Sequence, residues 1–394
     1  MKQSFPPYGQ PSPSRRVQAI SPSATKEMAI FAARIGGCVS LGQGVPSFVT
    51  PAHIIEAVTH ALRTDAGSGQ YSLQTGMSAL RHCIARRVLE EKNLSIDPES
   101  EICVTVGGME ALLATILTVV DEDDQVLLPS PTYASYTEQV LLAGGTPVYV
   151  PLTDKWGLDL KAISNAVTPK TRALILCSPG NPTGTVFPND QVLALCELAV
   201  ANGFVVITDE AYDYMVYDGS MPVNPLSFDR FRNNVISISS LSKKYALTGW
   251  RVGWVIAAVR WMEQIMKVHD AATICSPTPS QIAALAALEG DQQCVQDMRA
   301  ALTKRRALCC ERLDRLSDYF SYVPPKGAFY VMAKYRFSDD NSQEVAIRLL
   351  EEAKVITIPG GAFGPGGEGH LRLSFGSEEK VINEAFDRIE RWLR

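Results

Sequence analysis

Three side chains in one short segment have the types and spacing for a defined chemistry. Ser240, Lys243 and Arg251 lie in Ser-Ser-Leu-Ser-Lys-Lys-Tyr-Ala-Leu-Thr-Gly-Trp-Arg, Ser239 to Arg251. The apolar run Val235 to Ile238 feeds directly into this segment and predicts a buried strand. A lysine delivered off a strand end into a cleft can form a Schiff base with an aldehyde. A hydroxyl three residues before it and a guanidinium eight after it can hold a phosphate on the same molecule. An aldehyde that also carries a phosphate is pyridoxal 5'-phosphate. The alternative is that Lys243 and Lys244 are two solvated surface lysines, since so short a motif also occurs by chance.

Other polar clusters supply partners for such a molecule. Val104-Thr-Val-Gly-Gly-Met-Glu-Ala reads as a strand, a glycine turn and a helix start, where the amides of Gly108 and Met109 face any anion above them. An ordinary tight strand-to-helix turn has the same sequence character. Asp209 follows the buried run Phe-Val-Val-Ile-Thr, a costly place for a carboxylate without a partner. A protonated pyridine nitrogen is such a partner and keeps the ring able to accept electrons. Tyr212 and Asn181, the latter in Pro179-Gly-Asn-Pro-Thr-Gly184, can donate to the phenolic oxygen of the ring. A helix cap at Asp209 and a plain turn at Asn181 are the competing readings. Tyr133, in Pro-Thr-Tyr-Ala-Ser-Tyr, either stacks on the ring or packs in the core. Arg372, in Gly-His-Leu-Arg-Leu-Ser-Phe, suits a substrate carboxylate in a two-pronged grip, or else an internal salt bridge.

The elements that must position these groups alternate along the chain. Seven short apolar runs predict strands: 102–106, 125–128, 146–150, 172–177, 204–208, 235–239 and 252–257. Stretches such as 134–143 and 190–201 predict helices between them, so the expected fold is α/β with a mostly parallel sheet. Such sheets bind ligands beyond the carboxyl ends of their strands, where the polar clusters fall. After a helical pattern through 315, further strands at 329–333, 355–358 and 371–375 predict a smaller α/β domain. The expected division is an N-terminal segment, 1–48, contributing to the small domain, a large domain, 49–290, and a small domain, 291–394.

Composition narrows the class. Hydrophobic residues make up 46% and charged residues 20%, as in ordinary globular enzymes. A net charge of −5 argues against nucleic acid or an anionic membrane as a partner. The longest apolar stretch, Ala111 to Val120, is too short to span a bilayer, and the proline-rich start has no targeting pattern. Nine scattered cysteines without a C-x-x-C pair point to a reducing, cytoplasmic setting. Neither they nor the five histidines show metal-ligand spacing, so no metal is expected.

The clusters, taken in order, resemble the class I/II aminotransferases, fold-type I enzymes that use pyridoxal phosphate. The markers are Leu41-Gly-Gln-Gly-Val-Pro-Ser-Phe, Gln70-Tyr-Ser with Gly76 and Leu80-Arg81, Val106-Gly-Gly, Pro131-Thr-Tyr, Asn181-Pro-Thr-Gly, Asp209-Glu-Ala-Tyr, Ser240-Leu-Ser-Lys, Thr248-Gly-Trp-Arg, Gly327-Ala-Phe-Tyr and Leu371-Arg-Leu-Ser-Phe. The resemblance implies a large domain with a seven-stranded sheet plus a smaller α/β domain. It implies Lys243 as the cofactor-bearing lysine and proton shuttle, and Ser240, Arg251, Gly108 and Met109 as phosphate ligands. Asp209 becomes the partner of the pyridine nitrogen, Tyr212 and Asn181 the phenolic-oxygen donors, and Tyr133 the stacking ring. Arg372, helped by the amide of Gly44, becomes the substrate-carboxylate clamp. Tyr71 becomes a residue that reaches the phosphate in the other subunit of a homodimer. Lys244 departs from the small or hydroxyl residue more usual beside the catalytic lysine.

The implied activity is ping-pong transfer of an amino group from an L-amino acid to a 2-oxo acid. Similar bacterial aspartate aminotransferases often carry a lysine after the Gly-Gly pair, opposite the substrate's distal carboxylate. Met109 stands there, which favours aromatic or other neutral donors, with 2-oxoglutarate as acceptor. Aspartate transamination and β-elimination from cystathionine or a cysteine conjugate are the alternatives. A transcription-regulator role is disfavoured by the acidic charge and the short stretch before Leu41. Tyr8, Arg15 and Arg16 are candidates to cover the site.

Overall fold

A computed structural model of the chain describes residues 12–21, 24–217, 219 and 221–394. The two-residue strand β1 (Val39–Ser40) comes first in sequence. Seven strands then build one sheet: β2 (Ile102–Thr105), β3 (Gln125–Ser130), β4 (Thr146–Pro151), β5 (Thr171–Cys177), β6 (Val205–Asp209), β7 (Val235–Ser240) and β8 (Gly253–Ala257). Each coincides, within two residues at either end, with an apolar run expected to be a strand. The spatial order is β2-β8-β7-β6-β5-β3-β4. All pairs are parallel except those of β8, which runs antiparallel to both β2 and β7.

Side-chain parity explains why the runs are apolar throughout. Along β5, Ala173, Ile175 and Cys177 enter one buried cluster, while Leu174 and Leu176 enter another on the opposite face. In β6, Val205 and Ile207 face one way and Val206 the other. A sheet covered on both faces needs apolar residues at every position. Helices Gly107–Val119, Ala134–Ala143 and Val259–Thr273 cover the first face. Helices Ser78–Lys92, Asn189–Asn202 and Thr278–Glu289 cover the second.

The C-terminal third forms a separate sheet. Strands β9 (Phe320–Tyr322), β10 (Tyr330–Tyr335), β11 (Val355–Ile356), β12 (Ile358–Pro359) and β13 (His370–Ser374) follow the helix Gln293–Asp314. Four of them order as β12-β13-β10-β9, all antiparallel. The single strand expected at 355–358 is therefore two. Thr357, fully buried, breaks the run, so that β11 pairs in parallel with β1 while β12 joins β13. The polar start of the chain lies outside the described residues through residue 11, and Tyr8 with it.

The two sheets meet at a close backbone contact. The carbonyl of Gly184 accepts the amides of Lys326 (2.8 Å) and Gly327 (2.9 Å), and Ala328 N–H donates to the Met215 carbonyl (3.0 Å). Gly184 has φ +67°, and a Cβ there would lie 2.4 Å from Pro325 Cβ and 2.5 Å from the Tyr330 carbonyl oxygen. Only glycine permits both the conformation and the approach. Gly184→Ala is expected to destabilise the protein by about 2 kcal/mol or more, through strain and displaced backbone. Denaturant unfolding measures this, and an unchanged midpoint would show that the contact gives way without cost.

Candidate active site

The direction of the strands decides what comes together. The carboxyl ends of β2, β3, β5, β6 and β7 all lie on one edge, and from them emerge Gly108, Tyr133, Asn181, Asp209 and Lys243. Arg251 comes before its strand rather than after it. It reaches the same edge because β8 is reversed, with Gly253 opposite both Thr105 at the end of β2 and Ser240 at the end of β7. Arg372 arrives from β13 in the other sheet, opposite Met332 and Ile358.

A cavity of about 350 Å³ receives them. It is lined by Gly44, Gly108, Met109, Tyr133, Asn181, Asp209, Tyr212, Ser240, Lys243, Arg251 and Arg372. Tyr71, expected to reach the other subunit's site, is 78% exposed and does not line this cavity. Arg15 and Arg16 are also exposed and absent from the lining. Arg16 instead lies near Gly144, at the far end of the helix whose first turn follows Tyr133. Gly44 lines the cavity, and its carbonyl accepts a hydrogen bond from Lys243 Nζ at 2.5 Å.

At one end of the cavity, groups suited to a phosphate converge. The first amides of the helix Gly107–Val119 have no intrahelical acceptor. Gly107 has φ +75°, and a Cβ there would lie 2.6 Å from Arg251 Nη2. A Cβ on Gly253 would lie 2.9 Å from the amide nitrogen of Gly108. Arg251 itself has φ +54°, a conformation costly for a non-glycine residue and one found where structure over-determines a functional group. Its Nη1 donates to the Thr248 carbonyl at 3.0 Å. Ser240 caps the next helical turn, accepting from Ser242 N–H at 3.2 Å.

Asp209 marks the other requirement. It is 8% exposed and accepts from Tyr136 Oη (2.7 Å) and Ala211 N–H (3.1 Å). Burial raises its carboxyl above the usual range, although the Tyr136 hydroxyl and the Ala211 amide partly offset this. No cation pairs with it among the described residues. Lys243 is shifted the opposite way, down to about 8, by burial first and then by the charges of Arg251 and Arg372. Arg372 is 2% exposed and donates to Asn181 Oδ1 (3.1 Å) and the Gly42 carbonyl (2.7 Å), while its Nε is buried without a partner. Its guanidinium lies over the rings of Tyr330 (4.6 Å) and Phe363 (4.9 Å). Because Asn181 offers its oxygen to Arg372, its amide nitrogen is left to donate elsewhere. Tyr212 Oη stands 3.0 Å from Tyr330 Oη, and burial, then its neighbour, holds the Tyr212 phenol protonated.

These residues fit pyridoxal phosphate. A buried carboxylate without a cation matches a pyridinium nitrogen, and the glycine-lined cradle with Arg251 matches a phosphate. Sequence reasoning missed Tyr136 and assigned no role to Tyr330. Tyr136 had a visible signal, because it follows Tyr133 by three residues and so sits one helical turn away on the same side. Tyr330 sits in Gly327-Ala-Phe-Tyr, but its neighbours across the two sheets are set by tertiary packing.

Lys243 and Lys244 separate cleanly. Lys244 lines a second cavity, of about 450 Å³, and its Nζ pairs with Glu91 at 3.0 Å. Among the groups that edge that cavity, Lys92 bonds Glu210 and, at 2.6 Å, Asp213. Burial alone would lower the Lys92 ammonium, but Asp213 and Glu210 outweigh it and hold it charged. Glu210 also accepts from Asn224 Nδ2 (2.8 Å) and Ser237 Oγ (2.9 Å), which fixes the turn that carries Asp209 and Tyr212.

Known proteins resemble this chain over nearly its whole length. The family model for aminotransferases of class I and II matches residues 36–389. The chain is 36% identical over 386 residues to aromatic-amino-acid aminotransferase 2 of Thermococcus litoralis, covering 97% of this chain and 98% of the relative. It is 36% identical over 385 residues to an aspartate aminotransferase of Pyrococcus abyssi, with coverage of 97% and 98%. A solved structure of a Thermus thermophilus aspartate aminotransferase double mutant superposes with a TM-score of 0.91 at 34% identity, covering 97% of this chain and 99% of that one. The charged cavity at the strand ends thus belongs to a member of the class I and II aminotransferases, a fold-type I enzyme dependent on pyridoxal phosphate.

Proposed function

We propose that this aminotransferase takes aromatic or other neutral L-amino acids as donors and passes the amino group to 2-oxoglutarate. The observation that carries the donor class is Met109. It lines the cavity where a lysine would oppose a substrate's side-chain carboxylate, and a thioether offers an apolar, adaptable surface instead. Similar proteins are named for both aromatic and aspartate substrates. The cavity chemistry at Met109 favours the first.

The site residues take the following roles in this reading. Pyridoxal phosphate, when bound, supplies the electron sink that makes a Cα proton removable. Gly108, Met109, Ser240 and Arg251 hold its phosphate, and Tyr133 lies along its ring. Asp209 keeps a proton on the pyridine nitrogen, and Tyr136 keeps Asp209 in place. Tyr212 and the amide nitrogen of Asn181 donate to the phenolic oxygen. Arg372 orients the substrate α-carboxylate, its unpartnered Nε being one free donor. Lys243 anchors the cofactor covalently and, as a neutral amine, carries the proton from Cα. Its lowered pKa favours that neutral form.

Two further parts belong to the same proposal. The active unit is a homodimer in which Tyr71 reaches the partner's phosphate; exposed Val49 (81%), Tyr71 (78%) and Leu73 (64%) supply an apolar surface for it. Each subunit divides into a large domain, 49–290, and a small one, 291–394, to which 1–48 contributes. The pairing of β1 with β11 supports that last assignment. A cytoplasmic location accords with nine cysteines that are all free thiols. Among the described residues no helix is long and apolar enough to cross a membrane.

Donor preference is read by mixing the holoenzyme with single amino acids and following loss of the cofactor's visible band. Phenylalanine, tyrosine, methionine or kynurenine should exceed aspartate in kcat/KM, and the reverse order refutes the donor class. Release of pyruvate and ammonia from cystathionine without an acceptor would favour β-elimination instead. Met109→Lys should raise kcat/KM for aspartate about tenfold, the effect of roughly 1.4 kcal/mol in one ion pair.

The amine of Lys243 is free above about 8 and protonated below it. Capture of pyridoxal phosphate by the apoenzyme should therefore speed up as pH rises through about 8, then level off. Lys243→Ala should abolish covalent capture, whereas Lys244→Ala should leave its rate and pH profile unchanged. A flat profile from acid to alkaline pH would contradict the assigned amine.

For the shared site, Lys243→Ala and Tyr71→Ala subunits are mixed and refolded together. Mixed dimers contain one site with both native residues, so activity should return above that of either parent. No recovery, with dimers formed, would exclude the cross-subunit role.

A further inference from the structure

A ping-pong cycle between a neutral amino acid and 2-oxoglutarate sends two different acids through one cavity. The donor carries one carboxylate and the acceptor carries two. Four cationic side chains line the cavity: Lys26, Lys243, Arg251 and Arg372. The roles proposed above use three of them. Arg251 lies against the glycine cradle, Lys243 is the covalent anchor, and Arg372 takes the α-carboxylate. Lys26 is left, and with Met109 in its place on the wall no other cation in the lining can meet the second carboxylate.

The placement of Lys26 suits that task. It is the third residue of the helix Ala24–Ile35, exposed at the cavity edge, and makes no ion pair among the described residues. A lysine in the first turn of a helix is opposed by the helix dipole, so local helix energetics do not explain its presence. Because the ammonium stays in water, it imposes no desolvation cost on an apolar donor side chain bound near Met109 and Leu112. Its flexible four-carbon stem lets the charge move toward an acceptor carboxylate and retire when a neutral group is bound. A lysine at position 109, on the cavity wall at the start of a packed helix, has no such retreat.

We propose that Lys26 is the specificity residue that binds the distal carboxylate of dicarboxylic substrates, and so lets one cavity serve neutral donors and a dicarboxylate acceptor. This rests on the reading that 2-oxoglutarate is the acceptor. The test uses the holoenzyme converted to its aminated form, with single-turnover kinetics against 2-oxoglutarate and against phenylpyruvate. In Lys26→Ala, kcat/KM for 2-oxoglutarate should fall about tenfold or more, mostly through KM, while that for phenylpyruvate stays within about twofold. Lys26→Arg should retain most of the 2-oxoglutarate rate, and added salt should raise KM for 2-oxoglutarate in the native enzyme but little in Lys26→Ala. If the native enzyme uses 2-oxoglutarate and Lys26→Ala leaves it unchanged, or depresses both acceptors equally, the role of Lys26 is overturned while the acceptor stands. If the native enzyme reacts with phenylpyruvate and with no dicarboxylate, the acceptor reading and the role of Lys26 fall together.

Discussion

Uncompensated charge gathered in one cavity is the constraint on which the rest of the structure turns. Lys243, Arg251, Arg372 and Asp209 share one lining, and none forms an ion pair among the described residues. A folded chain ordinarily neutralises buried charges with one another, because each costs several kcal/mol unpaired. Here three cations and one anion are held apart. The effect is visible on both signs: the Asp209 carboxyl is raised and the Lys243 amine lowered, each by burial first. In the roles proposed above the cost has a use, since a cofactor with an anionic phosphate and a cationic ring nitrogen, and a substrate with a carboxylate, supply the missing opposite charges.

Holding like charges together requires a rigid frame, and the sheet provides it. Asp209 and Lys243 sit at the ends of neighbouring parallel strands whose side chains are buried on both faces. The reversal of β8 places Arg251 beside them from the other chain direction. Below the cavity, the paired network of Lys92, Glu210 and Asp213 pins the turn that carries Asp209 and Tyr212. The contrast between the two charged regions is physical. In the lower one Glu210 and Asp213 are matched by Lys92, whereas in the upper one Asp209, Lys243, Arg251 and Arg372 form no ion pair among the described residues.

The second sheet closes the site without belonging to the first. Gly184 and Gly327 let the segment leading into β10 pack closely against the loops of the large sheet, and Arg372 then bonds to Asn181. Arg372 and Asn181, proposed above as substrate clamp and cofactor donor, are thereby linked through one hydrogen bond, with the Tyr212 and Tyr330 hydroxyls in contact beside it. A shift of one sheet against the other must alter both grips at once.

Much of this was legible in the sequence because it is local. Apolar runs bounded by turn residues located all seven strands of the large sheet, and polar clusters after them located Gly108, Asn181, Asp209 and Lys243. The run at 355–358 was misread as one strand, because the exchange of partner at Thr357 depends on which strands lie alongside. Tyr136 and Tyr330 went unassigned for the same reason: a buried tyrosine reads as core until its neighbour is known. Lys243 and Lys244 illustrate the boundary. Spacing to Ser240 and Arg251 distinguished them in sequence, but that they enter different cavities follows from the helical turn that aims adjacent side chains apart. By itself, then, the sequence determined the strand order along the chain and the chemical character of each strand end, since periodicity and turn chemistry act over a few residues. Tertiary structure alone decided the reversal of β8, the approach of Arg372 from the second sheet and the lack of a cation paired with Asp209 among the described residues, because each depends on contacts between residues far apart in the chain.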